Sequence, residues 1–150
     1  MRFDSTDDVL DFAIKREEEA FTFYTELAQR VEGADIREIL NEFAREELGH
    51  KEKLLQIKKG ELRPVVMEKV TDLKMADYIV DVDPSPGIGY QQALIIAMKK
   101  EKSAFRLYSA LAAMADDEQL RNTFLTLAQE EAKHKLRFEI EYDENVLADN

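Results

Sequence analysis

A glutamate with a tyrosine seven places on, followed later by Glu-x-x-His, occurs twice in this chain with one spacing. The first copy is Glu17 and Tyr24 with Glu47-Leu48-Gly49-His50; the second is Glu101 and Tyr108 with Glu131-Ala132-Lys133-His134. Glu17, Tyr24, Glu47 and His50 each recur at one constant offset in the second copy, and the pattern uses both of the chain's 2 histidines. Residues at i and i+3 of a helix point the same way, so each Glu-x-x-His places a carboxylate and an imidazole on one helix face. Whatever local structure carries the first copy must therefore be repeated for the second.

Apolar residues spaced by three and four surround each of these polar groups, as in amphipathic helices. The first seam reads Leu10, Ala13, Ile14, Glu17, Ala20, Phe21, Tyr24, Leu27, and Glu17 lies in its middle while Glu18 and Glu19 fall outside it. The second reads Ile36, Ile39, Leu40, Phe43, Glu47, His50, Leu54, Ile57; the third Leu94, Ala97, Met98, Glu101, Ala104, Phe105, Tyr108; the fourth Leu120, Phe124, Leu127, Glu131, His134, Phe138. Glu46 and Glu130 leave their seams and read as solvated side chains. With 5 glycines and 3 prolines in 150 residues, the chain lacks the turn residues of an all-β protein. The expected fold is all-α, a single domain over residues 1–150 arranged as an antiparallel four-helix bundle.

Local signals divide that domain. Ser5 or Thr6 caps the first helix, with Asp7 and Asp8 at the positive end of its dipole. Asp35 with Glu38, and Asp116 with Gln119, have capping-box spacing at the starts of the second and fourth helices, and Gly60 ends the second. Two hairpins follow, over residues 6–59 and 88–142, and the polar tail from Asp143 is expected to fray. Between the hairpins, residues 61–87 carry Pro64, the pair Val65-Val66, a helical turn or two around Asp72 to Tyr78, and Asp83-Pro84-Ser85-Pro86-Gly87. A connection of this length can run the length of a bundle and start the next helix at the opposite end. Met67, Met75, Met98 and Met114 read as packing residues of the core or of this crossover.

Within each hairpin the midpoint between the two seam glutamates falls on a predicted turn, at position 32 for Glu17 and Glu47 and at position 116 for Glu101 and Glu131. A hairpin folded there brings Glu17 to Glu47 and Glu101 to Glu131, each about 22 Å from its turn. Four glutamates and two histidines then stand at one level, and carboxylates buried together require cations. One Glu from each of two helices plus a Glu-x-x-His from each of the other two is the donor pattern of di-iron and di-manganese bundles. Carboxylate with imidazole suits iron or manganese, and zinc fits the same donors without redox chemistry. Tyr24 and Tyr108 read equally as core aromatics or as hydroxyls hydrogen-bonded to a ligand carboxylate.

A net charge of −11 disfavours nucleic acid and anionic membrane surfaces as partners. The absence of cysteine removes disulfides, iron–sulfur clusters and thiol nucleophiles. The start of the chain does not resemble a signal peptide, and the longest purely apolar run, residues 93–98, is far short of the ~20 residues of a membrane helix. A cytoplasmic protein is expected.

Residues 6–142, through Glu17 and Tyr24, Glu47-Leu48-Gly49-His50, Glu101 and Tyr108, and Glu131-Ala132-Lys133-His134, resemble the ferritin-like di-iron carboxylate superfamily, most closely the rubrerythrin family. The resemblance implies a centre of two iron ions in which Glu47 and Glu131 bridge, Glu17 and His50 complete one ion's ligands, and Glu101 and His134 the other's. It implies an oxidoreductase that reduces hydrogen peroxide or dioxygen, working as a homodimer with a separate electron-donor protein such as a rubredoxin. Characterised rubrerythrins carry a further glutamate where this chain has Ala104, and a cysteine-ligated rubredoxin domain that a cysteine-free chain cannot build. Bacterioferritins share the six-ligand set but place a haem-binding methionine where Leu48 stands. Iron oxidation with storage or delivery is the alternative activity, and a bundle held together by a structural metal is the third.

Overall fold

The computed structural model describes residues 3–60, 75–78 and 89–147. It contains α1 (Thr6–Arg30), α2 (Ala34–Lys58), α3 (Tyr90–Met114) and α4 (Glu118–Tyr142), all of equal length. A 3-10 turn spans Met75–Tyr78 and a π-helical turn spans Asp143–Leu147. The helix boundaries obey the spacing of the polar residues: α3 starts and ends at the motif offset from α1, and α4 at the same offset from α2. The chain divides into two compact units, Met1–Lys74 and Met75–Asn150. Each contains one helical hairpin. The Pro64, Val65-Val66, Met67 and Asp83–Gly87 features of the expected crossover lie outside the described residues, and of its helical turns only Met75–Tyr78 falls inside them.

In the first hairpin the Asp8 amide donates to Ser5 Oγ at 3.1 Å, which fixes Ser5 as the N-cap of α1. The Arg37 guanidinium, in the first turn of α2, reaches back to the end of α1, where Nε donates to the Ala28 carbonyl (3.2 Å) and Nη2 to the Val31 carbonyl (2.8 Å). These carbonyls belong to a helix end that has no intrahelical donors for them, so one side chain both satisfies the terminus and holds the turn closed. Arg121 repeats the arrangement in the second hairpin, its Nη2 donating to the Ala115 carbonyl at 3.2 Å. Arg37 and Arg121 are equivalent positions of the sequence repeat, as are Val31 and Ala115.

The caps of α2 and α4 differ from the sequence expectation. Gly33 is the N-cap of α2, with no side-chain hydrogen bond, so Asp35 sits inside the first turn. Asp117 rather than Asp116 caps α4, accepting from the Leu120 amide at 3.3 Å. In both places neighbouring capping-type residues compete, and the Arg–carbonyl contacts of the turn set the frame. Gly60 does end α2, at φ 71°, where a left-handed residue is needed and glycine carries no Cβ penalty. The tail expected to fray from Asp143 instead continues as a π-helical turn through Leu147, and residues 148–150 lie outside the described residues.

The buried arc of α1 includes Val9, Phe23 and Leu27, and that of α3 includes the equivalent positions of the repeat, Ala93, Leu107 and Leu111. Phe21 is only half-buried and Phe105 is exposed, contrary to the seams drawn from spacing. A three-and-four repeat locates the middle of a stripe but not which flank packs, and here the flank of Phe23 and Leu107 goes inward.

The open end of the second hairpin is closed by a polar contact. Tyr90 Oη donates to Glu141 Oε1 at 2.7 Å, with Glu141 buried and Arg137 Nη1 3.8 Å from its other oxygen. Ser103 Oγ donates to the Tyr78 carbonyl at 2.6 Å, which holds the 3-10 turn on α3. Burial, then the Glu141 carboxylate, push the Tyr90 phenol well above its usual value. Below pH about 10 the phenol is neutral in both folded and unfolded chains, and its contribution is complete. Above that the unfolded chain loses the proton first, so stability falls as pH rises towards the folded value. Tyr90→Phe should lower unfolding free energy by about 1–2 kcal/mol at neutral pH and flatten its decline above pH about 10, measured by urea titration across pH.

Candidate metal centre

In the first unit, α1 supplies Glu17 and α2 supplies Glu47 and His50. His50 Nδ1 lies 3.6 Å from Glu17 Oε2 and 3.8 Å from Glu47 Oε1. In the second unit, α3 supplies Glu101 and α4 supplies Glu131 and His134, with His134 Nδ1 3.7 Å from Glu101 Oε1. Within each unit the three side chains offer donor atoms all within 4.8 Å of one another. All six are between 1% and 4% exposed, which is rare for ionisable groups. These are the six residues that the sequence pattern singles out, and each hairpin brings its own three together.

The separations fit ligands of a shared cation better than hydrogen-bond partners. At 3.6, 3.7 and 3.8 Å the nitrogen–oxygen gaps are too long for hydrogen bonds. Two donors each about 2.1 Å from one ion stand up to about 4.2 Å apart, so the same gaps fit ligands of a shared cation. Glu17 Oε2, Glu47 Oε1 and His50 Nδ1, and Glu101 Oε2, Glu131 Oε1 and His134 Nδ1, are all shielded from solvent. A mixed carboxylate–imidazole set suits iron, manganese or zinc. In both clusters the imidazole turns Nδ1 to the carboxylates, so each histidine would bind through that nitrogen as a neutral ring.

Glu18 and Glu19 are exposed, and Glu18 pairs with Lys51 at 3.1 Å; Glu46 is exposed and Glu130 half-buried. Tyr24 and Tyr108 are fully buried, and Tyr108 stacks on Phe124 with ring centroids 6.5 Å apart. Arg37 and Arg121, whose turn contacts set the register in which the glutamates meet, carry no signal in the helix seams. Glu141, a buried carboxylate held by Tyr90, also falls outside the expected set. Extending the α4 seam by one step of three from Phe138 reaches it.

Gly49, inside the first Glu-x-x-His, is exposed, and a Cβ built on it meets nothing within 4 Å. Its counterpart is Lys133, so the motif does not require glycine.

The fold and these clusters define an all-α protein with a duplicated carboxylate–imidazole site suited to divalent metal. The Rubrerythrin family profile matches residues 8–88 and 91–146, and the chain belongs to that family. It also shares its fold with a structure from Thermotoga maritima described as a ferritin-like diiron-carboxylate protein, at 24% identity and a TM-score of 0.81, over 97% of this chain and 99% of that one. A hypothetical protein from Pyrococcus furiosus is similar at 24% identity and a TM-score of 0.73, over 93% and 89% of the two chains. The fold is therefore the ferritin-like helical bundle. No curated protein matches this sequence. No described helix is long and apolar enough to cross a membrane.

The geometry sets the expected outcome of two substitutions. Gly49→Ala should raise the unfolding free energy by about 0.5–1 kcal/mol without changing metal stoichiometry, read by denaturant titration and metal analysis. Glu47→Gln should act in opposite directions on the two forms of the protein. It removes a buried negative charge, so the metal-free protein should gain roughly 0.5–2 kcal/mol, while the stabilisation by added ferrous ion should shrink. Melting curves with and without metal check both signs.

Proposed function

We propose that the protein is a di-iron oxidoreductase that reduces hydrogen peroxide, or dioxygen, with electrons from a separate protein. The observation that carries this reading is the duplicated set of three buried donors, Glu17, Glu47, His50 and Glu101, Glu131, His134, in a chain of the rubrerythrin family. In this reading Glu17, Glu47 and His50 would hold one ion, and Glu101, Glu131 and His134 the other. Four carboxylates offset the charge of two divalent ions, and two neutral imidazoles add none. Helical burial keeps bulk water from the donors.

Two ferrous ions held by these six residues would supply the two electrons that, with two protons, reduce one peroxide to two waters. The reducing electrons would come from a separate donor, because these 150 residues contain no cysteine for a rubredoxin-type site. Tyr24 and Tyr108 serve as positioning residues whose hydroxyls orient ligand carboxylates.

Anaerobic, ferrous-loaded protein mixed with hydrogen peroxide should lose its ferrous state within seconds, with about one peroxide consumed per two irons oxidised. Glu47→Ala should abolish the fast phase. Oxidation no faster in the natural chain than in Glu47→Ala would overturn the proposal. Iron that leaves the site after each oxidation and collects in a large hollow assembly would favour the storage reading, and redox-silent zinc in protein from its native host a structural metal.

A further inference from the structure

The two donor sets match in chemistry, and the residues around them do not. Each set is two carboxylates and one imidazole, and the imidazole–carboxylate gaps are alike, 3.6 Å from His50 to Glu17 and 3.7 Å from His134 to Glu101. Ligand type and spacing therefore give the two hairpins no reason to hold a cation differently. The flanking charges do. Within one helical turn of Glu17, Glu47 and His50 stand the acids Glu18, Glu19, Glu46 and Glu52. Their equivalents in the repeat are Lys102, Ser103, Glu130 and Leu136, so only one of these acids is kept. The basic positions are not lost in step, since Lys15, Arg16, Lys51 and Lys53 recur as Lys99, Lys100, Lys135 and Arg137. Arg45 becomes Gln129, and Gly49 becomes Lys133.

The exchange at Glu18 changes the structure as well as the charge. In the first hairpin Lys51, next to His50, reaches across to Glu18, next to Glu17, and the two pair at 3.1 Å. This ion pair joins α1 to α2 beside the donors, and the lysine's charge is offset where it stands. In the second hairpin the same places hold Lys102 and Lys135, which cannot pair with each other. Lys135 turns along its own helix to Glu139, at 3.1 Å, and Lys102 is exposed on α3. Glu101, Glu131 and His134 thus have more positive flanks than Glu17, Glu47 and His50. Exposed charges act on a buried cation weakly and are screened by salt, yet several of one sign add to a field that a divalent ion feels twice over.

We propose that the duplicated site is unequal: Glu17, Glu47 and His50 take a divalent ion first and hold it more tightly than Glu101, Glu131 and His134 do. This rests on the reading that the six residues hold two divalent ions. Glu18 and Lys102 set the ranking through their charge, without touching an ion. Occupancy is then stepwise. Over a range of metal concentration the chain carries one ion, in the first hairpin, and the second set fills only at higher concentration. A reaction that draws on both ions runs only in the fully loaded chain, so the filling of the weaker set decides when it runs.

Manganese(II) titration of the full chain at low ionic strength, with the unbound ion counted by electron paramagnetic resonance, tests the ranking. Two ions per chain are expected, in two steps whose dissociation constants differ roughly tenfold, a gap that narrows in high salt. Lys102→Glu should tighten the weaker step several-fold and leave the stronger one in place. Glu18→Lys should weaken the stronger step several-fold. Both side chains are exposed, so helical content by circular dichroism should not change. Fewer than two ions per chain would overturn the two-ion reading and the ranking with it. Two ions bound in equal steps, a stronger step that answers to Lys102→Glu instead of Glu18→Lys, steps that answer to neither variant, or a gap indifferent to salt would overturn the ranking alone.

Discussion

Six ionisable groups buried in apolar helix seams are the constraint on which the rest of this structure depends. A carboxylate removed from water costs several kcal/mol unless something replaces its hydration. In each hairpin two carboxylates and an imidazole converge, with imidazole–carboxylate separations too long for direct hydrogen bonds. A cation held by those donors would replace the hydration that burial removes. Long helices follow from this demand. A site about 22 Å from the turn keeps its register only if the helices between turn and site are regular and their ends are fixed. Arg37 and Arg121 fix one end, and Tyr90 with Glu141 fixes the other end of the second hairpin.

The polar residues of this chain were more informative about its fold than the apolar ones. The single offset taken from two short motifs reproduces the spacing of all four helices, because a duplicated site requires a duplicated frame. Apolar periodicity found the helices but misplaced part of their packing. Phe21 and Phe105 fit the repeat of three and four, yet Phe23 and Leu107 are the buried ones. Which flank of a stripe turns inward depends on the neighbouring helix, and one helix's sequence does not contain that neighbour. The caps failed more narrowly. Asp35 and Asp116 stand near the true caps, Gly33 and Asp117, in turns that Arg37 and Arg121 bridge with contacts that local capping rules do not include.

Duplication also separates what the fold needs from what has been added to it. Features common to both halves, such as the donors, the buried tyrosines and the arginine clamps, belong to the frame and the site. Features of one half alone answer to something outside the repeat. Glu141 with Tyr90 is one, since the corresponding positions of the first hairpin are Ile57 and Thr6. The exposed Leu125, Leu136 and Ile140 of α4 are others, since the corresponding positions of α2 are Asn41, Glu52 and Gln56.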